Sequence, residues 1–366
     1  MREVIVAGGG PAGLAAAIAA RQVGLDVTVI DRARPPIDKA CGEGIMPDGL
    51  AALQRLGVTI PPERAFAFRG IHFIDDAHAV EATFPSGKGF GVRRVILHQL
   101  LVQQAAALGV DLRWGTRVTG LSADGVEVGG ETIPYRWLVC ADGQNSLLRK
   151  KSGLFTSRPE SMRYGFRRHY RVTPWTDFVE VHWADCGQMY VTPVDEGQVC
   201  VALITSYPDL RFDAALPQFS KLAVRLRDAE FHDRTIGAIT ASRRLNNVQS
   251  GRIALIGEAA GSVDAITGEG LSIAFHQATE LAAAMQSNRL DLHQKAHERI
   301  TRVPRSMSRL LLSMDRRHVF RGRALGALER QNEAFQRMLA IHTGSSSVRE
   351  FGVGQAILLG WNLLHA

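Results

Sequence analysis

The sequence predicts an α/β chain built on a parallel sheet, with a second, β-rich region inserted into it. Three observations predict this. A β-α-β unit opens the chain, short and largely apolar strands recur at residues 137–141 and 252–257, and between them helical texture gives way to aromatics, prolines and alternating apolar positions from about Gly153 to Ser250. The opening unit reads as a strand over residues 3–7, an alanine-rich helix over 14–23 closed by Gly24, and a second strand over 26–30. A long helix is expected over 92–108 with Gly109 at its end, then short hairpins over 112–134 with turns at Ala123-Asp124-Gly125 and Gly129-Gly130. In the inserted region, strands are expected over 190–193 and 199–203 around the turn Asp195-Glu196-Gly197. Beyond Gly270 the chain reads as helical.

Composition narrows the class. With 46% hydrophobic and 22% charged residues the 366-residue chain can bury a core and is not a disordered polypeptide. Its four cysteines form no Cys-x-x-Cys pair, so neither a zinc site nor a disulfide framework is expected, and no metal is assigned. No apolar run is long enough to span a membrane, and the short apolar start before three glycines is not a secretory segment, so the expected location is the cytoplasm. The net charge of +7 is concentrated. Between residues 301 and 340, nine arginines face Asp315, Glu329 and Glu333 alone. Such a segment is a solvated helical face, or a peripheral contact with an anionic membrane, since Leu310, Leu311, Met314, Phe320 and Leu325 are interleaved with the arginines. No nucleic-acid-binding module accompanies it.

Gly8-Gly9-Gly10-Pro11-Ala12-Gly13 carries the first chemistry. It supplies G-x-G-x-x-G between a strand and a helix. Gly8 permits the turn, Gly10 lets backbone approach a pyrophosphate, and Gly13 lets helix pack on strand, with Pro11 and Ala12 opening the helix whose free N–H groups face the phosphates. Asp31 ends the second strand, where a carboxylate reaches ribose hydroxyls. Arg32 follows it at the adenosine end, where surface arginines are also common. This motif alone does not separate NAD from FAD.

Two later segments resemble those of flavin hydroxylases: Val139-Cys140-Ala141-Asp142-Gly143-Gln144-Asn145-Ser146, and Gly257-Glu258-Ala259-Ala260-Gly261 followed by Gly268-Glu269-Gly270. The chain thus resembles the para-hydroxybenzoate hydroxylase-like flavoproteins, and within them the geranylgeranyl reductase-type branch, whose Cys-Gly-Gly-Gly loop is similar to Cys41-Gly42-Glu43-Gly44. The resemblance implies a Rossmann-like FAD-binding domain (1–65, 92–152 and 245–287), an inserted β-sheet substrate domain (66–91 and 153–244) and a helical C-terminal region (288–366). It implies FAD as cofactor and NAD(P)H as a transient electron donor, since no second G-x-G-x-x-G is present. It implies that Arg94, or its neighbour Arg93, contacts the pyrophosphate side, that Val118 touches adenine through its backbone, that Asp142 ties its loop to the cofactor, and that Glu258, standing where the family has Asp, bonds the ribityl chain or pyrophosphate. Gly268 and Gly270, at the start of a helix, would present N–H groups to the flavin pyrimidine ring, where reduced flavin carries negative charge.

Cys41 is the candidate catalytic residue, as a proton donor or pocket wall beside the flavin. Glu43 is expected in solvent, and His169, His182 and His276 show no metal spacing. Phe166, Trp183 and Tyr190 are expected on a sheet facing a hydrophobic substrate. Three functions compete. A monooxygenase would hydroxylate an aromatic or polyketide-like molecule with NAD(P)H and oxygen. A reductase would saturate an alkene in a lipophilic substrate. An escort protein would only carry a lipid. The first is preferred on the Asp-Gly segment, although Gly261 stands where hydroxylases often place a His. A flavin halogenase is a further relative, but its Trp-x-Trp-x-Ile-Pro motif is absent, since no two tryptophans lie two apart.

Overall fold

The computed structural model describes residues 2–154, 161–231 and 233–347. Its first sheet runs in the order Gln249–Ser250, Ile253–Leu255, Tyr135–Cys140, Arg2–Ala7, Val27–Asp31, Asp111–Trp114. Every pairing is parallel except that of Gln249–Ser250 with Ile253–Leu255. The α/β class is therefore as the sequence predicts. The opening helix spans Pro11–Gln22, beginning earlier than expected because Pro11 occupies its first turn, where the missing N–H is no loss. Its residues from Leu14 to Ala20 are all buried, since it is wedged between the sheet and the Gly270–Gln286 helix. Residues 118–133 form a three-stranded antiparallel meander, while Asp111–Trp114 joins the parallel sheet.

The second sheet takes strands from two stretches of chain. Its order is Glu230–Phe231, Ser161–Arg171, Gln198–Thr205, Gly187–Asp195, Val179–Ala184, Gly70–Ile74, Ala79–Thr83, and Ile236–Ser242 also pairs with Ser161–Arg171. Side chains alternate across it. The register aligns Arg167 with Ala202 and then Tyr190 with Val181, putting Arg163, Arg167, His169, Cys200, Tyr190 and Trp183 on one face. Phe166, Leu203 and Met189 lie on the other, where residues 212–226 cover them. Three helices, Asp291–Arg316, His318–Arg330 and Asn332–His342, pack Leu311, Met314, Leu325, Leu328 and Phe335 onto the first of these faces around Val181 and Trp183. Among the described residues, no helix is long and apolar enough to cross a membrane.

Candidate functional site

The three glycine-bearing segments meet at the C-terminal ends of the parallel strands, where such sheets bind ligands. Gly8 has φ 116°, and a Cβ there would lie 2.3 Å from the Ala141 carbonyl oxygen. A Cβ on Gly13 would fall 1.8 Å from the Gly8 carbonyl oxygen, and one on Gly257 would fall 2.7 Å from Ala12 Cβ. Glycine is therefore required for the strand–loop, helix–strand and loop–helix contacts that hold the segments together. Gly10, Gly268 and Gly270 behave differently. A Cβ on any of them would meet nothing within 4 Å, so these backbones face open space.

Asp31 Oδ2 accepts a hydrogen bond from Gly9 N–H at 2.6 Å, and its Oδ1 accepts one from Ala33 N–H at 2.7 Å. The carboxylate thus shapes the glycine loop. Arg32, beyond it, is exposed, and Val118 begins the meander beside Thr116, whose N–H donates to the Asp31 carbonyl. His98 was not singled out by sequence reasoning. It is fully buried, its Nε2 donates to the Gly9 carbonyl at 2.9 Å, and burial holds its pKa below the usual imidazole value, so it braces the loop as a neutral ring. The available signal was its place four residues after Arg94 on one helix face.

The structure separates the two rival arginines. Arg93 donates to Gln198 at 2.8 Å and Asp233 at 3.3 Å. The Nε of both is buried without a hydrogen-bond partner, but among the described residues Arg94, at the start of the Arg94–Ala107 helix, makes no side-chain hydrogen bond or ion pair at all. Asp142 accepts from Ser146 Oγ at 2.5 Å and Leu148 N–H at 3.2 Å, so it organises its own loop. Arg149 ties that loop to the next, donating to the carbonyls of Gln144, Glu258 and Ala259. Glu258 pairs with Lys39 at 2.7 Å, both half exposed. Gly268 takes a left-handed φ of 69°, and the Gly270–Gln286 helix begins without a side-chain cap. These features fit FAD: an uncapped helix start beside Gly10, an orphaned guanidinium nitrogen on Arg94, and a second uncapped helix start at Gly270. Between the last two glycines Glu269 is buried. Desolvation, with Asp48 nearby, drives its carboxyl well above the ordinary range. His342 Nδ1 lies 3.6 Å away and is pushed the other way by burial, so desolvation disfavours the charged form of both groups.

The Cys41 loop corrects one expectation. Glu43 is not in solvent: it is 2% exposed, with φ 60°, inside a charged cluster. Its Oε1 accepts from Arg94 N–H at 2.9 Å and Arg167 at 3.1 Å. Its Oε2 lies 2.6 Å from His169 Nε2, while His169 Nδ1 lies 2.6 Å from Asp233 Oδ2. Arg167 also donates to Asp38 at 2.8 Å. Three acids thus face Arg93, Arg167 and the ring nitrogens of His169, so each buried carboxylate has a partner. Glu43, His169 and Cys200 also approach one another as metal ligands would, but Arg167 already supplies the cation. Charged residues alternating along strand Ser161–Arg171 were the sequence signal for this cluster. Cys41 itself is half-buried. Its Sγ accepts from Glu43 N–H at 3.4 Å, and its carbonyl faces Cys200 Sγ at 3.6 Å.

The aromatic trio does not converge. Phe166 points away from the cysteine loop with Arg211 over its ring, because its strand position has the opposite parity to Tyr190. Trp183 shares the face of Tyr190 but is buried edge-on to Phe73 under the C-terminal helices. Tyr190 alone reaches the flavin-side loop, its hydroxyl donating to the Ile266 carbonyl at 2.8 Å.

Comparison with known proteins agrees with this geometry. A family model described as an FAD binding domain matches residues 1–308. Menaquinone reductase of Mycobacterium tuberculosis is 30% identical over 321 residues, covering 78% of this chain and 77% of that protein. Digeranylgeranylglycerophospholipid reductase 2 of Methanopyrus kandleri is 27% identical over 295 residues, covering 74% and 73%. The crystal structure of a flavoprotein/dehydrogenase from Cytophaga hutchinsonii superposes with a TM-score of 0.82 over 100% of both chains at 17% identity. The chain belongs to the FAD-binding-domain family and is an FAD-dependent oxidoreductase of the para-hydroxybenzoate hydroxylase-like type, with geranylgeranyl reductase-type relatives.

Proposed function

We propose that this oxidoreductase is a reductase that saturates an alkene in an isoprenoid-bearing lipophilic substrate, with NAD(P)H as the source of electrons. This reverses the order of preference drawn from sequence, which placed hydroxylation first. The observation that carries it is Gly261. Its φ of 100° and the Arg243 carbonyl oxygen, 2.5 Å from where a Cβ would stand, leave no room for the His that hydroxylases often place there. The relatives support the same choice, since two of them are named as reductases of isoprenoid compounds.

FAD, when bound, supplies hydride chemistry. The chain supplies the rest. Gly10 and the opening helix receive the pyrophosphate, with Arg94 as its counter-charge. Gly268 and Gly270 direct N–H groups at the pyrimidine edge. The Glu43 cluster anchors the Cys41 loop against the second sheet, and Cys41 Sγ is the group from which a proton reaches substrate carbon.

Anaerobic single turnover with chemically reduced enzyme and a polyprenylated quinone tests this. Full product yield without oxygen, lost in Cys41→Ser because a hydroxyl is a far weaker acid than a thiol, is the expected result. Product that forms only with oxygen, in step with oxygen consumption, would instead establish a monooxygenase.

A further inference from the structure

Glu269 stands between Gly268 and Gly270, the glycines assigned above to the pyrimidine edge, and immediately before the Gly270–Gln286 helix. A carboxylate beside a helix start ordinarily gains from the free N–H groups and the positive end of the dipole. Glu269 makes no such capping hydrogen bond. It is 4% exposed, and its Oε2 is buried without a hydrogen-bond partner. That oxygen faces the last helix, Asn332–His342, where His342 Nδ1 lies 3.6 Å away, also buried and also without a hydrogen-bond partner.

The ring contacts of His342 say where a proton belongs. Its Nε2 sits 3.2 Å from the Thr267 carbonyl oxygen, which can only accept, so Nε2 bears a hydrogen. In the neutral ring Nδ1 is then a lone pair, and a lone pair facing a carboxylate oxygen across a buried gap is repulsive. A proton in the gap makes the contact attractive. It resides on Glu269 Oε2 as a carboxylic acid, or on Nδ1 with two opposite charges left buried. Desolvation disfavours the charged form of both groups, and the nearby Asp48 carboxylate raises the proton affinity of Glu269 further. Asp48 belongs to the Pro47–Arg55 helix; its Oδ2 lies 3.7 Å from His276 Nε2, and His276 Nδ1 lies 3.3 Å from Arg55. The acid is thus faced by Asp48 from one helix and His342 from another, with His276 and Arg55 behind Asp48.

We propose that Glu269 and His342 are a proton-holding pair that sets the reduction potential of the bound flavin. With the proton in place, the residue between the two glycines is uncharged, and the uncapped helix start is left to the negative charge of reduced flavin. Without it, a carboxylate stands beside that charge and disfavours reduction. The coupling is reciprocal, so flavin reduction tightens the hold of Glu269 on its proton. At a pH where Glu269 is ionised beside oxidised flavin, NAD(P)H supplies the hydride and the carboxylate takes one further proton from water, returned on reoxidation. Glu269 acts on the charge of the cofactor, and His342 acts through Glu269 as a positioning residue. This rests on the pyrimidine ring lying at Gly268 and Gly270, as in the proposed function, and not on the substrate.

Reduced-minus-oxidised infrared difference spectroscopy of the full, FAD-loaded chain at pH 7 tests it. The expected spectrum contains the carbonyl stretch of a protonated carboxyl. The band should shift in deuterium oxide, vanish in Glu269→Gln, and move to higher frequency in His342→Phe, which removes the acceptor. Dye-coupled titration then reads the two-electron potential from pH 6 to 10. Wild type and Glu269→Gln should agree at pH 6. At pH 10 the wild type should lie lower by about 30 mV or more, a tenfold loss of preference for reduced flavin. Absence of the band, its persistence in Glu269→Gln, an unmoved band in His342→Phe, or potentials that stay parallel to pH 10 overturns the proposal. Should Glu269→Gln fail to retain FAD, the band position in His342→Phe decides. Turnover that requires oxygen would overturn the reductase reading without altering these spectra, so the two failures are distinct.

Discussion

Replacing Glu43 with glycine opposes two effects at one residue. Glu43 occupies the left-handed region at φ 60°, where a non-glycine residue costs about 1–2 kcal/mol, so glycine relieves strain. The same change removes a carboxylate that accepts from Arg94 N–H and Arg167 and faces His169 at 2.6 Å. Breaking a buried charge pair by deleting one partner costs about 3–5 kcal/mol, because the remaining charges are left uncompensated. Here Arg93, Arg167 and His169 would face only Asp38 and Asp233. The loss wins, and Glu43→Gly should destabilise the protein by about 1–4 kcal/mol, the difference between these two effects. Urea unfolding of the FAD-loaded chain measures it. Glu43→Gln, which keeps the volume and the strain but not the charge, should lose about 1.5–3 kcal/mol. Because Glu43 holds the first N–H of the Arg94 helix, both variants should also bind FAD more weakly. A Glu43→Gly protein as stable as wild type would refute the claim that the cluster, and not backbone preference, fixes this loop.

Gly10→Val should abolish FAD retention, since its Cβ projects into the open space the pyrophosphate needs; a yellow, stoichiometrically loaded variant would move the phosphate site elsewhere. Asp31→Ala should weaken FAD less severely, as measured by fluorescence of released flavin. Glu269 has a raised folded-state pKa, so the stability linked to its protonation is full below the unfolded carboxyl value and is lost as pH rises. Glu269→Gln should therefore melt higher than wild type at pH 8 and show a shallower fall in melting temperature from pH 5 to 8; parallel pH profiles would show that Glu269 is not buried neutral. The C-terminal helices bury Leu311, Met314 and Leu325, so membrane contact by this region would rest on exposed arginines such as Arg302, Arg317 and Arg323. Flotation with anionic liposomes should then be reversed by salt, and no association even at low salt would remove the proposal.

The sequence by itself determined the nucleotide-binding half of this protein. Gly8, Gly10, Gly13 and Asp31 are local signals: strand, turn and helix follow one another within about thirty residues, and at Gly8 and Gly13 only glycine meets the steric demands of the contacts observed. The Asp142 and Glu258 segments were legible for the same reason, each being a short loop whose form depends on its own residues. What the tertiary structure decided is long-range. Sequence alone places Glu43 in solvent because its partners Arg167 and His169 come from more than 120 residues away, on a strand whose facing depends on sheet register. Phe166 was grouped with Tyr190 because a sequence shows that residues alternate across a sheet but not which parity faces the cofactor. The arginines after residue 301 looked like one charged stretch, and helix packing divided them into a cavity wall and an exposed surface while turning their apolar neighbours inward. Turn chemistry and steric fit are written within a few residues, whereas the compensation of a buried charge is settled only when distant strands and helices close around it.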